Sequence, residues 1–251
     1  MLEVHQLSRS FGGVQALADV SLSARPGEVT GVIGPNGAGK STLLSCISGW
    51  LLPDSGIATF EGISLLGVPP AELADRGCIR TFQNLELLDE SSVQENIGLG
   101  TRRKNTTGLV GSLLRTRKAR QQLTQADDVI REAAQRLGLS ALLTVPAGGL
   151  SYGQRKQLEL ARAFAAAPSL LLLDEPAAGL DDFERHKLST LITAVADQGV
   201  TVVLVEHAIE MVMALSSQIV VLDFGAVITQ GTPTQVRTDP KVIEAYLGRS
   251  A

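Results

Sequence analysis

Sulfur and extra positive charge are both scarce in this sequence of 251 residues. Its only cysteines, Cys46 and Cys78, stand far apart. That excludes a disulfide framework and a four-cysteine zinc site. Both thiols are expected to serve as buried small hydrophobes in a reducing compartment. Lys plus Arg number 22 against 26 Asp plus Glu, a formal charge of −4. Nucleic-acid partners are therefore not expected, because domains that bind nucleic-acid phosphates are usually strongly basic. Long apolar runs are missing too: none approaches the roughly 18 residues that cross a bilayer. The opening MLEVHQLSRSF places Glu3 where a signal peptide would need an apolar core. A soluble, cytoplasmic protein is the expectation. No internal repeat or low-complexity linker interrupts the chain. What is present, 44% hydrophobic and 19% charged residues, is the make-up of an ordinary globular protein.

Pattern and punctuation divide the chain. Short β-prone runs cover residues 2–7, 18–24 and 29–33, separated by Gly13, Pro26 and Gly27. Residues 57–60 and 63–65 flank Glu61-Gly62 as a hairpin would. From about residue 87 to 167 helix formers dominate. There Leu123, Ala126, Ile130, Ala133 and Leu137 recur at helical spacing, with a stop near Gly138. Strand and helix patterns then alternate: strands at 170–173 and 200–205, helices at 183–196 and 208–215. A last hairpin, 219–222 with 227–229, and a helix at 240–247 close the chain. Alternating strands and helices imply a mainly parallel sheet. The expectation is one α/β core, residues 1–86 and 168–251, interrupted by a helical insert, 87–167. Residues 101–126 carry Arg102, Arg103, Lys104, Arg115, Arg117, Lys118 and Arg120 with no Asp or Glu before Asp127. This run reads either as a solvated face or as a contact for anionic lipid headgroups.

Gly34, Pro35, Asn36, Gly37, Ala38, Gly39, Lys40 and Ser41 fit G-x-x-x-x-G-K-[ST], after a β-prone run and before a helical STLLSCIS. Such a P-loop wraps phosphate in backbone N–H groups at a helix N-terminus. Lys40 then bridges the β- and γ-phosphates of a nucleoside triphosphate, and Ser41 offers its hydroxyl to Mg²⁺. Thr42 follows as a further nucleotide-binding candidate. The second half of such a site is a carboxylate ending a buried strand. Four leucines, 170–173, lead into Asp174 and Glu175. Asp174 suits Mg²⁺, which prefers oxygen ligands and keeps part of its water. Glu175 can act on the attacking water as general base. A protein-kinase decoy, Asp223-Phe-Gly225, lacks the accompanying HRD and VAIK segments and reads as a turn.

Leu150-Ser151-Tyr152-Gly153-Gln154 and the helix after it resemble the signature motif of ATP-binding cassette (ABC) ATPases, with Tyr152 in place of a second glycine. The match extends almost end to end. Phe11 stands where this family stacks an aromatic ring on adenine. Gln83, in Thr81-Phe-Gln-Asn, looks like the Q-loop residue that senses Mg²⁺ and water. Residues 178–181, ending in Asp181, resemble the D-loop, and His207 looks like the switch histidine at the γ-phosphate. The resemblance implies an α/β P-loop ABC ATPase core with a mainly parallel sheet, an N-terminal antiparallel β region and a helical insert. It also implies Mg²⁺-dependent ATP hydrolysis at sites shared by two cassettes. Each Ser151, Gly153, Gln154 and Asp181 would then face the other chain's nucleotide.

RTFQN, the long insert, LDEPAAGL and the ending VIEAYLG narrow the resemblance to the ATP-binding subunits of branched-chain amino-acid importers of bacteria, including relatives for urea or short amides. That implies a second ABC ATPase subunit, two membrane permeases, an external solute-binding protein, and a place on the inner face of the membrane. The chain departs from the pattern at Ala208, where Asp usually follows the histidine, and at Asp181, where this branch often has Asn. The alternative functions are a soluble ABC ATPase of translation or repair and a regulatory nucleotide-binding module. The single cassette and the acidic balance disfavour the first; Glu175 and His207 disfavour the second.

Overall fold

A computed structural model describes residues 1–81, 86–101 and 117–247, with residues 117–123 and 247 described by backbone alone. Gln83 therefore lies outside the described residues, as do Arg102, Arg103, Lys104 and Arg115 of the basic run. Two compact units emerge, Met1–Arg80 with Ser169–Ala251, and Thr81–Pro168.

The first unit contains two sheets. Strands β1 (Leu2–Phe11), β2 (Val14–Ala24), β4 (Ser55–Phe60) and β5 (Ile63–Ser64) form an antiparallel sheet in the order β2-β1-β4-β5. The first two strands run beyond their apolar stretches. The polar end of β1 is held by Asp54, which accepts from the Ser10 N–H at 2.7 Å and pairs with Arg9 at 2.7 Å. The second sheet joins β3 (Val29–Ile33), β6 (Cys78–Arg80), β7 (Leu170–Asp174), β8 (Thr201–Val205), β9 (Gln218–Asp223) and β10 (Ala226–Gly231). Its order is β10-β9-β3-β8-β7-β6, parallel except for β10. Every residue of β3, β7 and β8 is buried, as expected of parallel strands covered on both faces.

Period-two alternation assigns Leu170 and Leu172 to one face of that sheet, with Val203, Val205 and Val220. There they meet Leu43, Leu44 and Ile47 of helix α1 (Lys40–Ile47) and Leu2, Val4 and Leu7 of β1. Cys46 and Cys78 are free thiols in the same core, the small-hydrophobe role expected of them. The structure adds α2 (Pro70–Asp75) and β6, which the sequence pattern does not announce.

In the second unit, α3 (Val93–Thr101), α4 (Arg117–Arg136) and α5 (Tyr152–Ala165) pack on one another. Ile130 and Ala133 of α4 and Leu137 just past its end are buried and Ala126 is half-buried, so these positions of the predicted helical stripe form a core face; the side chain of Leu123 lies outside the described residues. Asn96 is fully buried and satisfied: its amide donates to the Leu88, Ser91 and Ser92 carbonyls and accepts from the Leu88 N–H, which fixes the loop before α3. Back in the first unit, α6 (Asp182–Ala196), α7 (Ile209–Leu215), α8 (Pro233–Arg237) and α9 (Pro240–Leu247) complete the chain. Among the described residues no helix is long and apolar enough to cross a membrane.

Candidate functional site

The loop from Gly34 to Gly39 joins β3 to α1, and its shape depends on glycine. Gly34, Gly37 and Gly39 all have positive φ. A Cβ on Gly34 would lie 2.1 Å from the Leu222 carbonyl oxygen, and one on Gly39 would lie 2.3 Å from that of Ala16. No other residue fits at either place. Asn36, Gly37 and Ser41 are exposed, Pro35, Gly39 and Thr42 are half-buried, and Ala38 is buried. Lys40 is buried, and its Nζ donates to the carbonyls of Gly34 at 2.7 Å and Pro35 at 3.0 Å. Burial lowers its pKa below the ordinary 10.5, while the nearby Glu175 and Asp174 carboxylates raise it. A glycine loop that opens a helix and holds a buried cation against its own carbonyls is suited to polyphosphate.

The carboxylates end β7. Asp174 is 1% exposed and forms a 2.9 Å ion pair with Arg80, the last residue of β6. Arg80 also donates to the hydroxyls of Ser45 and Ser48, at the C-terminal end of α1. Glu175 has a φ of 49°, unusual for a side chain with a Cβ, and its N–H donates to the Val205 carbonyl. Its Oε1 lies 2.9 Å from Nε2 of His207, two residues past the end of β8. A carboxylate touching an imidazole can accept or return a proton of an adjacent water.

Between them sits Glu206, 4% exposed. Its Oε1 accepts from the Ala177 N–H at 2.6 Å and its Oε2 from the His207 N–H at 3.0 Å. Burial raises its pKa above the ordinary carboxylate value; backbone N–H groups of Ala177, His207 and Ala208 oppose that shift.

The remaining predicted positions lie on other elements. Phe11 ends β1 with 46% of its surface exposed, and the Arg9 guanidinium lies 4.9 Å from its ring centre. Asp181 is the N-cap of α6, accepting from the Glu184 N–H at 2.8 Å in a reciprocal capping box. In the second unit Ser151 caps α5 in the same way, with Gln154 as its partner and Gly153 between them in the first turn.

Sequence reasoning missed Arg80, Glu206 and Tyr246. Tyr246, on α9, accepts a hydrogen bond from the Gly34 N–H, and burial pushes its pKa up to about 12. Each lies inside a short run (RTFQN, residues 203–207, VIEAYLG) where a charge or hydroxyl directly follows an apolar residue, the signal that could have found it.

The ABC transporter family matches residues 17–178, and the branched-chain amino acid ATP-binding cassette transporter family matches residues 226–251. The high-affinity branched-chain amino acid transport ATP-binding protein BraF of Pseudomonas aeruginosa is 38% identical, over 100% of this chain and 98% of its own. An ATP-binding cassette of an ABC transporter, solved in its ADP conformation, superposes with a TM-score of 0.84 at 32% identity, covering 99% of both chains. A bacterial ABC transporter cassette solved as a dimer gives 0.79 at 25% identity, covering 93% of this chain and 99% of that one. With a family match over more than half its length and a relative similar from end to end, the chain belongs to the ABC transporter family, among its ATP-binding cassettes.

Proposed function

We propose that this chain is the ATP-binding and ATP-hydrolysing subunit of a bacterial importer for branched-chain amino acids or for related small amides or urea. The 2.9 Å contact between Glu175 and His207, beside the buried Lys40, carries the hydrolytic part. The full-length similarity to BraF supports the solute class.

In this reading Gly34–Thr42 hold the triphosphate, Lys40 neutralises its charge, and Phe11 stacks on the adenine. Glu175 takes a proton from the attacking water, and His207 and Gln83 orient the water and γ-phosphate. The donor set fits Mg²⁺: Asp174 and the Ser41 hydroxyl offer hard oxygens. Among the described residues no group of three or more His, Cys, Asp or Glu gathers to hold a metal, as suits an ion bound largely by substrate phosphates and water. When bound, Mg²⁺ neutralises charge on the phosphates. Ser151, Gly153, Gln154 and Asp181 serve the nucleotide of a second cassette. Two permeases and an external solute-binding protein complete the transporter, with this chain on the inner membrane face.

Reconstitution in proteoliposomes with the permeases, the second ATPase subunit and the solute-binding protein tests this reading. ATP-driven uptake of labelled leucine that requires this chain and is lost with Lys40→Ala is expected. Uptake indifferent to this chain would overturn it.

A further inference from the structure

Glu175 sits in a backbone conformation that side chains with a Cβ rarely adopt, at φ 49°. Such a residue persists only where its surroundings over-determine it. On its own N–H side, the bond to the Val205 carbonyl ties it to β8. On the other side the chain passes Pro176 to Ala177, whose N–H is gripped at 2.6 Å by Glu206. The same carboxylate grips the His207 N–H with its second oxygen, at 3.0 Å, and receives the Ala208 N–H as well. One buried side chain thus fastens the loop that follows Glu175 to the loop that carries His207.

Only an acceptor without donors satisfies this arrangement. Its hydrogen-bond partners are N–H groups distributed over both oxygens, so an amide would set its own NH₂ against at least one of them. Ala208 cannot take over this role, since it is the N-cap of α7 and makes no side-chain hydrogen bond there.

We propose that Glu206 is a positioning residue for ATP hydrolysis, holding Glu175 and His207 in the mutual geometry that the reaction needs without itself touching the nucleotide. The proposal rests on the hydrolytic reading above and names a residue which that reading leaves without a role. Its consequence is a loss of rate without a loss of binding. Misplacing a reacting group by about an ångström can cost on the order of a hundredfold in rate.

The test is a double-mutant cycle on the full chain, using single-turnover ATP hydrolysis and equilibrium ATP binding. Glu206→Gln should lower the hydrolysis rate about ten- to a hundredfold while the Kd for ATP stays within about twofold. Glu206→Asp, which keeps the charge on a shorter arm, should lose less, and it carries the cycle should the Gln protein fail to fold. Because Glu206 acts in part through His207, the same substitution in a His207→Ala background should cost clearly less than it does in the unsubstituted chain. Equal losses in both backgrounds, or a rate loss matched by lost ATP affinity, would overturn the proposal. Glu175→Gln serves as the reference. Full turnover in that variant removes the hydrolytic reading itself, whereas an inactive Glu175→Gln beside a fully active Glu206→Gln removes only the positioning role.

Discussion

Arg80 and Asp174 close an ion pair of 2.9 Å at the C-terminal ends of adjacent parallel strands, with side chains only 10% and 2% exposed. The hydroxyls of Ser45 and Ser48 hold the guanidinium in place, so the pair also links the P-loop helix to the end of β7. Arg80→Met should strand a buried carboxylate and cost about 3–5 kcal/mol. Adding Asp174→Leu should recover most of that loss, since replacing both partners of a buried pair is often near neutral. Denaturant midpoints of the two variants check both statements.

Lys40→Ala should abolish or severely weaken ATP binding, because the phosphates lose the one side-chain cation of the loop. The ammonium donates to the Gly34 and Pro35 carbonyls of its own loop, so the fold should survive. Titration calorimetry together with a thermal melt separates the two effects. Undiminished affinity in a folded variant would remove the phosphate-site assignment.

Glu175→Gln keeps the size of the side chain and removes its basicity. Loss of a positioned base typically costs about 10²–10⁴ in rate, so turnover should nearly vanish while ATP still binds. With negative charge at the γ-phosphate relieved, ATP should hold two cassettes together, or this cassette to its second ATPase subunit. Ser151→Arg should break that dimer by crowding the start of α5. Light scattering with and without ATP reads both results, and a dimer that tolerates the arginine would refute the shared site.

Phe11→Ala should weaken ATP and GTP alike, by about 1–3 kcal/mol if it follows base–aromatic stacking elsewhere. The 46% exposure of the ring leaves area for a purine even with Arg9 beside it. Unchanged affinity for both nucleotides would mean that another residue holds the base.

Burial pushes Cys46 up to about 11 and Cys78 to about 12 from an ordinary 9.0. Both thiols should resist alkylation in the native protein at neutral pH, since the thiolate is the reactive form. Raised folded values also fix a sign. The thiols' contribution to stability is complete below pH 9 and is lost as pH climbs through 9 toward 11 to 12, because the unfolded chain ionises first. Mass spectrometry after iodoacetamide treatment, and melts above pH 9, check the two parts.

Local chemistry was legible and distant pairing was not. The glycines of the phosphate loop announce themselves because positive φ and close backbone approach leave no alternative. The four leucines before Asp174 mark a strand buried on both faces. By contrast β6 has three residues, Cys78–Arg80, too few to show a period, and it exists because β7, far along the chain, offers it an edge. Glu206 reads as the polar end of a strand, and its burial depends on the N–H of Ala177 in a different loop. Tyr246 could be placed on a helix from the pattern 240–247, but its meeting with Gly34 is a matter of tertiary packing.

The order of the second sheet has a consequence for synthesis. Its central strand β3 is flanked by β8 and β9, which the ribosome delivers only after the whole second unit has been made. At about 5–20 residues per second, the roughly 170 residues between β3 and β8 keep β3 without either neighbour for on the order of ten to thirty seconds. Throughout that interval a mainly apolar strand with two open edges must be shielded by the nascent chain or by a chaperone. The N-terminal half is thus a segment whose fate in the cell is decided by elongation speed as much as by final stability.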